Sequence, residues 1–399
     1  EVLVLLGDGA AVQRTVEAYF AGPHAWLPIV SRKRMRMGVA LAQGGPDLAM
    51  LFLAMRLVTA PPPPAAPDVA APARAPLLLP VHYGAAKRFL SLLEGAGLAS
   101  LMLLQAMVLV AYYEYAHAVY PAAWATVASC VRYADLLGLP GFRESNIVLK
   151  TPSTWTEMEE RLRTWWAILV LDRVICLGNK KRYLSPEPDD SVNFPVNDEA
   201  WDEGPISRAA RHTIASQPTS PPSPFSSLCR AALLAGDVLT HVRKASAASS
   251  LAEAASLAAA LCPGNPGNPA RRAPSSEEAA HQVRSLEALV DVSREAAALA
   301  EELLLALLLR DPNDDDGGGG GADVSPLILD ALYGAAATLA WLVREEGPAR
   351  HADGFAAIKR CLERLGVRWR LAAEYARMLD HQDLAYMMRE EGHPALHLA

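Results

Sequence analysis

The sequence predicts an all-α protein built of many helices, broken by proline- and glycine-rich inserts expected to stay disordered. Three observations carry that reading. Alanine and leucine dominate a chain that is 51% hydrophobic, while aromatics stand at 7%, a balance that favours helix. Apolar residues recur at three- and four-residue spacing in tract after tract. No run sustains the period-two alternation of a strand rich in β-branched residues, so a sheet is not needed. A fixed-period repeat is also missing, which sets a solenoid aside.

The elements follow in order. A helical pattern runs from Gln13 to Phe20 and gives way to "GPHAWLPIVSRKRM", where Pro23 and Pro28 break it. Ser31 is placed to cap the next helix. In "PDLAMLFLAMRLVT" Pro46 sits in a first turn, and Leu48, Leu51, Phe52, Met55 and Val58 follow at helical spacing. The proline-rich stretch 60–76 cannot be regular helix and reads as a connector. The longest helical tract runs from about Tyr83 to Leu137, divided at Gly95 and Gly97 and again at Tyr120–Pro121, with Gly138 as its stop. A helix over about 154–177 comes next, then "SPEPDDSVNFPVNDEAWDEG" as an irregular loop. A Ser/Pro stretch at 216–224 leads into "FSSLCRAALLAGDVLTHVRK". Two low-complexity inserts, "CPGNPGNPARRAPSSEE" and "DPNDDDGGGGG", separate helical stretches around 277–309, 326–346 and 353–390.

Whole-chain properties narrow the function classes. At 399 residues the chain can fill one large domain or two ordinary ones. A net charge of −7 argues against a surface that coats nucleic acid. Five cysteines at positions 130, 176, 229, 262 and 361 fit neither a disulfide framework nor a zinc cluster, and suit a reducing compartment. The start at Glu1 without methionine reads as a fragment or a processed product, and "EVLVLLGDGAAV" lacks the basic region of a signal peptide. Leu98 to Tyr113 is the strongest membrane candidate, yet it falls short of the roughly 20 residues a span needs. It also carries Gln105 at its middle, so no membrane is expected.

The segment "TWTEMEERLRTWWAILVLDRVICLGNKKR", 154–182, concentrates charge and tryptophan. Thr154 can cap its helix, with Glu157 completing a capping box, and Glu159 can pair with Arg163 one turn on. Met158, Leu162, Trp165, Leu169 and Cys176 share a stripe that Trp166 and Val170 widen, so the helix should be buried on more than one side. Asp172 and Arg173 lie one and two turns beyond the tryptophans, on or near that buried arc, where a charge must be paired and hydrogen-bonded. An internal Glu/Arg/Asp network around Trp165 and Trp166 is preferred to general acid–base catalysis by Asp172 or Glu160, for which no converging polar partner is nominated. Trp124 and Tyr133, with the paired tryptophans, should line the core in preference to an internal pocket.

Other candidate chemistry is weaker. "DPNDDDGGGGGAD" lacks the glycine and glutamate of a calcium loop at the required positions. Asp189, Asp190 and Asn193 mimic part of the aspartate-rich box of helical terpene synthases, but prolines flank them. His393 and His397 have metal spacing with Pro394 between them, at a chain end expected to fray. No P-loop, nucleophile elbow, dinucleotide fingerprint or HExxH occurs. Arg32, Lys33, Arg34 and Arg36 form a short basic patch that suits nuclear import or a solvated helix start, and Lys180 and Lys181 suit a helix C-terminus.

Four stretches together resemble the fungal-specific transcription factor domain, the middle homology region of binuclear zinc-cluster transcription factors. They are "YFAGPHAWLPIVSRKRM" (19–35), "PDLAMLFLAMRLVT" (46–59), the tract 86–139, and "EERLRTWWAILVLDR", which is similar to that family's Arg-x-Trp-Trp…Leu-Asp-Arg helix. The loop "PDDSVNFPVNDEAWDEG" also fits. The resemblance implies a non-enzymatic, all-α regulatory domain of a nuclear transcription factor. It would modulate RNA polymerase II transcription through helix packing and contacts with proteins of the transcription machinery, and would allow a homodimer. A ligand or partner would act by shifting the packing of the core, and the sequence does not name the small-molecule effector. The family's six-cysteine zinc cluster is absent from these 399 residues. DNA contact and zinc, the only cofactor in question, would then come from a module upstream of Glu1, where a Cys-x2-Cys-x6-Cys pattern would reveal it.

The expected organisation is a core over 13–245, low-complexity inserts and connecting helices over 246–325, and C-terminal helices of the same domain over 326–399. The alternative is an all-α enzyme of lipid or isoprenoid type with an apolar cavity, which would require Asp189, Asp190 and an acidic partner around one cavity.

Overall fold

Fourteen α-helices and three short 3-10 helices make up the described helical structure in a computed structural model. It describes residues 1–36, 44–60, 81–139, 148–152, 154–177, 182–203, 211–216, 221–260, 276–309 and 324–390. Among the described residues the only β pairing is an isolated antiparallel bridge between Asn193 and Thr213, so the chain is all-α. The proline-rich stretch 61–76, the insert 261–275, the acidic glycine insert 310–323, Lys180, Lys181, His393 and His397 lie outside the described residues.

Local chemistry sets most helix ends. Asp8 Oδ1 accepts from Ala11 N at 2.8 Å and caps α2 (Gly9–Ala21). Ser31 Oγ accepts from Arg34 N at 3.3 Å at the start of α3 (Arg32–Arg36). Pro46 occupies the first turn of α4 (Pro46–Thr59), where its missing N–H has no helical partner to lose. The predicted long tract is three helices, α5 (Val81–Gly95), α6 (Leu101–Ala116) and α7 (Ala122–Leu136), broken at the predicted positions. Gly138 follows α7 with φ of 69°, a left-handed conformation that lets Leu139 N reach Ala134 O at 2.9 Å and close the helix end. Thr154 Oγ1 accepts from Glu157 N at 3.1 Å and starts α8 (Trp155–Leu177).

Burial organises these helices. Helix α6 runs beside α4, packs on α7 and α8, and buries every residue from Leu101 to Ala116 except Met102. Its apolar composition is therefore that of a core helix. Helix α8 is buried without interruption from Glu159 to Arg173 and packs on α6, α7 and α10 (Pro224–Ala260). Short α1 (Val2–Leu6) and α2 lie against α4.

Helix α11 (Ser276–Leu309) is more than a connector: Ser293, Ala297, Ala300 and Leu307 are buried, and it packs on α12 (Leu329–Glu346) and α13 (Ala352–Gly366). The stretch 353–390 is two helices, α13 and α14 (Arg370–Glu390), because the chain turns at Val367–Trp369. The predicted loop after α8 also contains a short helix, α9 (Asp198–Asp202), capped by Asn197 Oδ1 accepting from Ala200 N at 3.1 Å.

The C-terminal helices are tied back to the core. Arg368 Nη2 donates to Val58 O at 3.1 Å and Nη1 donates to Ala60 O. Tyr115 of α6 donates to Asp330 of α12. Among the described residues one helix, Pro326–Glu346, is long and apolar enough to cross a membrane by length and composition. It packs on α11 and α13 and buries Leu332, Ala336 and Leu339.

Candidate functional site

The charges of α8 meet the chain segments on either side of it. Glu160, 3% exposed, accepts from Ser31 N at 3.0 Å and Gln105 Nε2 at 3.2 Å through Oε1, and from Arg34 Nη1 through Oε2. Gln105 Nε2 also donates to Ile29 O at 2.6 Å. The polar residue in the middle of apolar α6 is thus a bridge between α6, α8 and the strand-like entry to α3.

One turn on, Arg163 is fully buried. Its Nε donates to Glu159 Oε1 at 3.0 Å, Nη1 to Asp198 Oδ1 at 2.7 Å and Nη2 to Val196 O at 2.6 Å. Glu159 Oε1 also accepts from Val196 N at 2.9 Å, so one ion pair holds both backbone groups of Val196. Burial pushes the Glu159 carboxyl above its ordinary value, against the lowering pull of Arg163. The Arg163 guanidinium lies 4.2 Å over the Trp201 ring, and His24 stacks on the same indole at 6.0 Å. His24 Nε2 meets Asp202 Oδ2 at 2.9 Å. Burial holds His24 below its ordinary value although Asp202 pulls it up, so the ring is neutral near pH 7. Burial acts to raise Asp202, but its hydrogen bond to His24 and the charges of Arg32 and Arg163 outweigh it and leave the carboxyl lowered.

The C-terminal half of α8 repeats the arrangement. Asp172 Oδ2 accepts from Leu184 N at 2.8 Å and Ser185 N at 2.6 Å. Arg173, with no exposed surface, donates to Ser185 Oγ at 2.8 Å and Glu187 Oε1 at 2.9 Å, and lies 3.7 Å over the Tyr183 ring. Between the two halves Trp166 Nε1 donates to Asn193 O at 2.9 Å, and its ring stacks on Phe194 at 5.0 Å. Trp165 meets Trp166 edge to face at 5.1 Å. Of the predicted residues on α8, Arg163, Trp166, Asp172 and Arg173 are thus fastened to the segment 183–202, while Glu160 is tied to α6 and the start of α3 and Trp165 packs on Trp166.

The other candidates separate. Asp189 and Asp190 are exposed, Asp189 Oδ1 caps its own turn by accepting from Ser191 N at 2.8 Å, and the backbone at Asn193 pairs with Thr213. No three His, Cys, Asp or Glu side chains among the described residues are grouped to hold a metal ion. The basic patch is divided: Arg34 is committed to Glu160, and Arg32 lies 3.6 Å from Asp202 and 4.9 Å over the Phe20 ring, while Arg36 is exposed. Trp124 and Tyr133 pack half-buried against the core.

Several participants were not singled out from sequence. Asp198, His24 and Trp201 complete the cluster around the expected Glu159–Arg163 pair. Buried Glu114 accepts from Tyr83 at 2.7 Å and pairs with Lys87 at 2.9 Å. Asp330 takes hydroxyl protons from Tyr115 and from Tyr375, the latter at 2.5 Å, and burial raises its carboxyl despite both bonds. The available signal was a lone acid inside an apolar run, as in "VLVAYYEYA" around Glu114.

The family model described as fungal specific transcription factor domain matches residues 16–261. Transcription factor BOA15 of Botryotinia fuckeliana (strain B05.10) is 38% identical over 166 residues, which span 41% of this chain and 84% of that protein. No solved structure matches.

Proposed function

Because the chain belongs to the family of fungal-specific transcription factor domains, we propose that it acts in the nucleus as the regulatory domain of a transcription factor. It is not an enzyme. In this reading the domain modulates transcription by RNA polymerase II through contacts with proteins of the transcription machinery, and meets DNA through a separate zinc-cluster module. The observation that carries it is that the α8 charges are engaged within the protein. Glu159, Glu160, Arg163, Asp172 and Arg173 each hydrogen-bond a neighbouring backbone group or side chain, as a framework requires. A general acid or base must instead reach a substrate.

The test is a reporter assay in a fungal cell, with the full chain fused to an unrelated DNA-binding module. Reporter output should differ several-fold from that of the module alone. Equal output at equal nuclear protein level would overturn the reading.

A further inference from the structure

A groove of about 580 Å³ lies away from the α8 network, between α2, the C-terminal end of α4 and the start of α5. Its volume is that of small-molecule sites, roughly 300–1,000 Å³. Alanine methyls of α2 form its apolar wall, and two cations, Arg14 and Arg56, face it from α2 and α4.

Their electrostatic state differs from that of the arginines in and around α8. Arg32, Arg34, Arg161, Arg163 and Arg173 each pair with a carboxylate. Among the described residues no carboxylate pairs with Arg14 or Arg56. Arg56 Nη1 donates to Leu6 O at 3.1 Å, which ties the guanidinium to the end of α1. The one acid of the lining, Glu17, accepts from Gln13 Nε2 at 2.9 Å. Two guanidiniums against one carboxylate leave the groove positive on a chain of net charge −7.

The remaining polar groups define what a ligand can use. Thr15 and Thr59 donate their hydroxyl protons to Ala11 O at 3.0 Å and Met55 O at 2.9 Å. Burial and the nearby charge of Arg56 lower the His82 imidazole, which is therefore neutral near pH 7. Charged donors to a ligand come from the arginines alone, and guanidinium matches a planar carboxylate in two parallel hydrogen bonds.

We propose that this groove binds a small organic acid, its carboxylate received by Arg14 and Arg56 and its apolar body laid on the alanine face of α2. The inference deepens the regulatory reading by naming the class of effector, and its binding test is independent of that reading.

Fluorine NMR of para-trifluoromethylbenzoate with the full chain tests it, with para-trifluoromethylbenzyl alcohol as the neutral counterpart. The acid should bind about tenfold or more tightly than the alcohol, the difference a charge-assisted pair supplies. Arg14→Ala should weaken the acid by about tenfold, and Glu17→Gln should tighten it. Both residues are exposed on α2, so neither change removes core packing. Failure of the acid to bind, equal binding of acid and alcohol, or an Arg14→Ala chain that holds the acid as tightly as the unaltered one would overturn the proposal. A fusion without effect on the reporter, in a chain that binds the acid, would count against the regulatory reading alone.

Discussion

Arg163→Met isolates what one buried cation does for the fold. Methionine replaces the arginine stem at similar volume, so the cavity left behind is small. The loss is electrostatic. Glu159, 2% exposed, would keep only the Val196 N–H at 2.9 Å, while Val196 O and Asp198 would lose their donor. Removing one partner of a buried pair costs about 3–5 kcal/mol, and that range is expected at pH 7.

The same reasoning fixes the pH dependence. Burial already raises Glu159 above its ordinary 4.5, and losing Arg163 removes the largest opposing influence. A carboxyl with a folded value above its unfolded one binds protons preferentially in the folded state, so the variant loses stability as pH rises through that window. Urea denaturation of both chains at pH 7 and pH 5 should therefore give the larger difference at pH 7. Adding Glu159→Gln should restore about half of the loss, because the uncompensated charge is gone. A difference below about 1 kcal/mol at pH 7, or one unchanged at pH 5, would refute the argument.

Three further outcomes follow from single contacts. Gly236→Ala would ordinarily stabilise a helix interior by about 1 kcal/mol, but a Cβ there would stand 2.6 Å from Arg173 Nε, so thermal unfolding should show a loss of about 1–3 kcal/mol instead. Burial, with the charges of Arg368 and Arg370, holds His117 at about 3 against an ordinary 6.5, so acid favours the unfolded chain. Between pH 7 and pH 5 this group alone should remove about 2 kcal/mol, and His117→Phe should flatten the acid limb of the stability curve by that amount. Arg368→Met should cost about 2–3 kcal/mol and speed amide exchange at the C-terminal end of α4, whose carbonyls at Val58 and Ala60 it binds.

Periodicity and punctuation made the helices legible. Pro46, Ser31, Thr154 and Gly138 act through their immediate neighbours, and each sits where local chemistry alone predicts. The turn at Val367–Trp369 was marked only by Gly366, which ends α13, and the sequence reading carried one helix through it; Trp369 is held there by Nε1 donating to the distant Val324 O at 3.0 Å. The same limit applies to the site. The α8 charges could be placed on one helix from their spacing, and Glu159–Arg163 is an i,i+4 pair. Their decisive partners stand 33 and 129 residues away, at Val196 and Ser31, and no local pattern announces such a meeting.

These long-range attachments also constrain how the domain can respond to a ligand. A switch needs an element with two arrangements of similar free energy. Helix α8 is poorly suited, since moving it would strand buried Glu159, Glu160, Arg163, Asp172 and Arg173 together, and each stranded charge is costly. The periphery is different. Helix α1 is five residues long, and Arg56 joins it to the groove wall through a hydrogen bond to Leu6 O. An acid seated on Arg56 would compete for the guanidinium that holds α1 and would bear directly on α4. Helix α4 lies along α6, and α6 is joined to the C-terminal helices by the Tyr115–Asp330 bond. The physically consistent route from an effector would run through α1 and α4, with α6, tied to α8 by Gln105 Nε2 donating to Glu160, as part of the fixed frame.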